Sequence, residues 1–148
     1  MIPRAPFTNH RFKVEVEGIE ASGALAVTLP EARIVAGARS TPKLECGALT
    51  LTRAQTLSSG WYDWWNACRS ATSSPDRIVV VVLLDAGGAD ALRWKYTGAR
   101  PVAYRVSTLD ALQSGVLAET LEIAVKTFDA SFGPATVVAK QRRRRAAR

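Results

Sequence analysis

One stretch, Trp61-Tyr62-Asp63-Trp64-Trp65-Asn66-Ala67-Cys68-Arg69, constrains this chain more than any other, because it holds three of the four tryptophans between segments patterned as strands. Leu57, Trp61, Trp64 or Trp65, and Cys68 recur at i, i+4, i+7/8 and i+11, one stripe of an amphipathic helix. Ser58 and Ser59 suit its start, since a hydroxyl can accept from first-turn N–H groups. Pro75 closes it off. The spacing predicts a helix over about 57–70. A single aromatic helix in a β-rich chain reads as a plug over a sheet or barrel.

The strands are written in alternation. Phe12, Val14 and Val16 share one face of Arg11–Glu17 and charges occupy the other, the pattern of a half-exposed antiparallel strand. Residues 24–34 form a weaker strand, broken or bent at Pro30, and 37–47 read as a loop. Leu49–Arg53 alternates again. Ile78–Leu84 is a β-branched run of buried-strand length. Asp85–Asp90, with its Gly-Gly pair, turns that run into Ala91–Tyr96 as a hairpin. Arg100–Arg105 reads as a further short strand, and Val116–Phe128 as a last long one. The expected class is mainly β (α+β): a small antiparallel barrel or two packed sheets with one helix across an opening. The organisation is an N-terminal arm over 1–10, a barrel domain over 11–130, and a C-terminal extension over 131–148. Phe12, Val14, Val16, Trp61, Trp64, Trp94, Leu121 and Ile123 are the expected core.

Charge separates body from tail. The chain of 148 residues carries 20 Lys and Arg against 13 Asp and Glu, a net +7. Six of those cations, Lys140, Arg142, Arg143, Arg144, Arg145 and Arg148, fall in the last nine positions without an acid, so the body carries 7 − 6 = +1. The tail reads first as a solvated like-charge block. Contact with phosphates of a polyanion and docking on an acidic patch of a neighbouring subunit stand level behind that.

No catalytic set emerges. His10 has no nucleophile fixed beside it by a motif and reads as a surface residue. Glu119 and Glu122 fall on opposite faces of a strand and cannot act as a dyad. Asp63, Asp76, Asp85 and Asp90 sit at helix faces and turns, where aspartate bonds to backbone. Cys46, Cys68 and His10 do not supply a structural zinc site, and the two cysteines read as reduced, partly buried thiols. The expectation is no enzyme, no cofactor and no metal. A tryptophan platform stacking on single-stranded nucleic acid or sugar is the competing reading of the helix, and a core role outweighs it. No apolar run reaches the roughly 20 residues of a membrane span, and Met1–Pro6 lacks the apolar region of a secretory signal.

Several strings, in order, resemble the tail tube proteins of contractile phages and of phage-derived contractile injection systems. Asn9–Gly18 is similar to that family's opening strand, N-x-[KR]-F-x-V-x-[IV]-x-G. Leu49–Arg53 resembles its strand into the helix, and Leu57–Arg69, centred on Trp64, its tryptophan-bearing helix. Ile78–Asp85, Arg93–Tyr96, Ala99–Val102 and Glu119–Ala124 follow in family order. The segment 33–44 looks shorter than the family's hairpin insertion, Ala54 stands where a glycine is common, and the arginine-rich tail is untypical. The resemblance implies a structural subunit of hexameric rings, stacked into an inner tube within a sheath. Sheath and baseplate proteins are the implied partners, with cargo, DNA or protein, in the lumen. It also implies a place in a phage tail or injection-system particle assembled in the bacterial cytoplasm. Alternatives are a baseplate initiator or adaptor ring of the same fold, and a small basic nucleic-acid-binding module.

Overall fold

The computed structural model describes residues 6–20, 23–70 and 76–133. The elements run β1 (Phe12–Val16), β2 (Ala24–Thr28), β3 (Ala32–Val35), β4 (Lys43–Cys46), β5 (Ala48–Ala54), α1 (Gly60–Arg69), β6 (Arg77–Leu84), β7 (Asp90–Val106), β8 (Ala118–Ala124) and β9 (Thr127–Phe132). The fold is mainly β with one helix, and every strand pairing is antiparallel.

Seven strands form one sheet of order β1-β6-β7-β8-β5-β2, with β9 also on β7, while β3 and β4 form a separate two-stranded sheet. The bend lies in β7. Its first half pairs with β6 on one side and β9 on the other, and its second half pairs with β8. Two four-stranded sheets therefore share this 17-residue strand. Gly98 sits at the changeover with φ +63°, a left-handed conformation that glycine adopts without steric penalty. A Cβ there would also stand 2.7 Å from Lys126 Cδ.

The inner faces follow the alternation of the sequence. Leu49 and Leu51 on β5, Leu121 and Ile123 on β8, Val79 and Val81 on β6, Val16 on β1 and Tyr96 on β7 meet in one core. Trp61 and Trp64 close it from the helix, at 3% and 2% exposure. Phe12, Val14 and Trp94 are only half-buried. Val14 and Trp94 pack at the margin of the core, while Phe12 and Trp94 border a groove between β1 and β2, which do not pair.

Local chemistry corrects five readings. The helix starts at Gly60 and not near residue 57, so Leu57 lies outside it and is fully exposed. Neither Ser58 nor Ser59 caps it through a side-chain bond to backbone; the Ser59 hydroxyl instead donates to Asp63 Oδ2 at 2.7 Å. Pro75 lies outside the described residues. The supposed loop 37–47 contains β4, which joins β3 in a separate hairpin. Tyr96 and Arg100 belong to one continuous strand, and the final long strand is two, turning where Lys126 N donates to Thr97 O at 3.1 Å. The Gly-Gly turn holds: Asp85 Oδ1 accepts from Gly87 N and Ala89 N, each at 2.9 Å, and Gly88 takes φ +85°.

Candidate assembly surfaces

Strand alternation puts Arg53 on the same inward face as Leu49 and Leu51, and Glu119 on that of Leu121 and Ile123. The two residues are register partners on neighbouring strands. Both are 1% exposed, and Arg53 Nε donates to Glu119 Oε1 at 2.5 Å. The Tyr104 hydroxyl donates to the second carboxylate oxygen at 2.9 Å, and the guanidinium lies 4.2 Å from the centre of the Trp61 ring. This cluster fastens the helix to the second sheet. Trp65 stacks on Tyr104 with ring centres 5.9 Å apart and extends the seam. Burial, and then the bond to Glu119, pushes the Tyr104 pKa up to about 12. The sequence reading weighed Glu119 only as a catalytic acid; the signal for the pair was two opposite charges, each in step with an apolar face.

Its other face is unlike the core. Thr50, Thr52, Thr120 and Glu122 point outward from β5 and β8, flanked by Ala48, Ala54, Ala118 and Ala124. Thr52 and Thr120 bond hydroxyl to hydroxyl at 3.1 Å. The helix lies on the opposite side of this sheet, and among the described residues no element packs over the alanine–threonine surface. Among the described residues, β2 at one end of the sheet is paired only with β5, and at the other end the second half of β7 is paired only with β8, so both outer edges are free of a described strand.

Many of the exposed apolar residues lie at the two poles of that sheet. Beyond Ala54 and Ala118 lie Leu57 and the segment 107–117, tied together where Gln55 N donates to Leu117 O at 2.8 Å. Leu109, Leu112 and Val116 are 81%, 94% and 72% exposed there. Beyond Thr28 and Ala48, at the opposite pole, projects the β3–β4 hairpin, hinged where Gly47 N donates to Glu31 O at 2.9 Å. Ile34, Val35 and Leu44 are exposed on it.

His10 is exposed. Cys46 and Cys68 are free, half-buried thiols, and burial pushes both pKa values above the ordinary range. Among the described residues no three His, Cys, Asp or Glu side chains converge as metal ligands would, and no helix is long and apolar enough to cross a membrane. Lys140, Arg142, Arg143, Arg144, Arg145 and Arg148 lie outside the described residues.

A two-sheet β fold with one aromatic helix, open edges on one sheet and apolar poles defines a subunit built to associate with others. Residues 8–129 match the family of the T4-like virus tail tube protein gp19, and the chain belongs to that family of structural tube proteins. It is a tail tube subunit. The fold is similar to that of a chain in the extended sheath–tube complex of the extracellular contractile injection system PVC, at 14% identity and a TM-score of 0.66, covering 86% of this chain and 92% of that one. Hcp1 from Flavobacterium johnsoniae is similar at 18% identity and a TM-score of 0.62, over 83% and 96% of the two chains. A chain in the baseplate of the anti-feeding prophage is 22% identical with a TM-score of 0.64, over 88% and 98%. No curated protein sequence matches.

Proposed function

We propose that six copies close into a ring through the open edges of the second sheet, and that stacked rings make the tube of a contractile particle. The observation that carries this reading is the pair of open edges, on β2 and on the second half of β7, flanking an uncovered alanine–threonine face. A free edge left in water is a template for pairing with another chain, and closure into a barrel removes it. Joined edge to edge, the second sheets form an inner barrel whose wall is the alanine–threonine face, while the core and helix lie outside it. A head-to-tail contact of this kind closes by rotation.

The subunit works without catalysis: it forms a wall, a sheath surrounds it, a baseplate starts it, and cargo, protein or DNA, passes within. Assembly of such a particle takes place in the bacterial cytoplasm. The arginine-rich tail is a solvated like-charge block first, and any contact it makes with a partner surface or a polyanion is salt-sensitive. The shortness of the β3–β4 hairpin, four register pairs long, favours a second reading as a specialised ring at the baseplate end of the tube. Negative-stain microscopy of the purified protein tests the proposal. Six-fold rings or tubes are expected; a compact monomer at high concentration and moderate salt refutes it. Rings that never lengthen alone, but do so on adding tube subunits, select the second reading.

A further inference from the structure

We propose that residues 134–139 of this chain seat in the apolar groove between β1 and β2, and so anchor the arginine-rich tail to the folded body. The inference goes beyond the tube reading and stands without it. Its basis is a row of apolar residues along one end of the first sheet. The register puts Phe12 of β1 against Leu83 of β6, Leu83 against Leu92 of β7, and Leu92 against Phe132 of β9. All four fall in step with Val14, Val81 and Trp94 on the core side of that sheet. They are covered only in part: Phe12, Leu83 and Leu92 are half-buried, and Phe132 is 78% exposed. At the β1 side the row opens into a groove of about 260 Å³, walled by Phe7, Phe12, Val27, Leu29, Leu83 and Trp94, with no charged side chain in its lining.

The chain supplies its own occupant. Gly133 N donates a bond to Ala91 O at 2.8 Å, and Gly133 takes φ +103°. Pro134 follows and has no N–H with which to continue that ladder. The chain therefore leaves β9 at the end of the sheet where the groove lies. Three strand spacings, about 14 Å in all, separate Phe132 from Phe12, and six extended residues reach about 20 Å. Residues 134–139 are uncharged and include Thr136, Val137 and Val138, β-branched types that suit an extended strip. The cations begin at Lys140, just past the length needed to cross. Aliphatic groups laid on an uncharged apolar wall gain from leaving water in proportion to the area covered. The stretch 1–5 adjoins Phe7 but carries Arg4, a charge this lining does not match. Anchored in this way, the last nine positions leave the body beside β1 as a basic leash, and any partner of their six cations is met there.

An apolar dye reads the groove directly, since ANS emits on exposed hydrophobic surface. Val137→Asp with Val138→Asp in the full chain should uncover the groove and raise ANS emission at least about threefold, with circular dichroism unchanged. Deleting 140–148 should leave emission at the wild-type level. Disulfide formation then locates the contact, in a chain carrying Cys46→Ser and Cys68→Ser. Phe12→Cys, paired in turn with Val137→Cys and Val138→Cys, should cross-link within one chain at least about tenfold faster than Lys13→Cys with the same partners. Lys13 is the neighbour of Phe12 on the opposite face of β1, so reach is matched and only the face differs. Equal rates from the two faces overturn the inference, and so does unchanged ANS emission in the double aspartate variant. Cross-links that join separate chains overturn it in favour of a second copy in the groove. Emission that rises on deleting 1–5, but not in the aspartate variant, overturns it in favour of that stretch. Ring closure is scored separately, by light scattering of the wild-type chain.

Discussion

Replacing Glu119 with alanine takes from the Arg53 guanidinium, 1% exposed, the carboxylate that now lies 2.5 Å from its Nε. The Tyr104 hydroxyl loses its 2.9 Å acceptor in the same step. Removing one member of a buried pair typically costs about 3–5 kcal/mol, because the survivor stays desolvated without its counter-charge. The Trp61 ring, 4.2 Å from the guanidinium, offsets about 1–2 kcal/mol of that. The stability of a domain this size is about 5–15 kcal/mol, so the loss is a large share of the total. At about 2–4 °C per kcal/mol, the midpoint should fall by roughly 10 °C. The informative comparison is the double change Arg53→Met with Glu119→Leu, which removes both charges and fills the space with apolar groups. Such replacements are often neutral or stabilising. Urea unfolding of the subunit, at concentrations too low for assembly, compares wild type, the single variant and the double variant. Two results would refute the reasoning: a Glu119→Ala loss below about 1 kcal/mol, or a double variant less stable than the single one.

The remaining expectations concern alkaline pH and the bend of β7. Burial raises the Tyr96 and Tyr104 pKa values from 10.0 to about 12, so the folded state holds these protons more tightly than the unfolded chain. That stabilisation is complete below pH 10 and is lost as pH climbs toward 12; absorbance at 295 nm should show two tyrosines ionising late, and only one in Tyr104→Phe. Gly98→Val combines a left-handed φ of +63° with a Cβ that would press on Lys126. It should cost about 1–3 kcal/mol, and a thermal midpoint unchanged from wild type would show that the bend tolerates a side chain.

Alternation was legible wherever a strand keeps one face on the core throughout. Leu49, Leu51, Leu121 and Ile123 fall in step and are fully buried. The reading failed where a strand changes its surroundings midway. β7 runs through Gly98 and Pro101, two residues that ordinarily end a strand, because the sheet itself turns there and asks for the left-handed glycine and a register shift. The β3–β4 hairpin is exposed over almost its whole length, so it carries no core-facing period to detect. Leu57 was assigned to the helix stripe from its spacing alone, yet it belongs to a pole of the sheet. An exposed leucine and a buried one look the same in a periodicity count. The Arg53–Glu119 pair was hidden for a different reason. It joins residues 66 positions apart, and nothing local announces that two charges out of place on apolar faces will find each other.

The sharing of β7 by both sheets has a mechanical consequence. In a sandwich whose layers meet only through side chains, the layers can shear past one another at the cost of repacking. Here a single covalent strand of 17 residues passes from one layer to the other, so relative sliding must strain the backbone or strip ladder bonds from β6, β8 and β9. The bend acts as a shear connector does in a composite panel. A load applied to the outer sheet reaches the inner one through peptide bonds, and the wall answers as one stiff body.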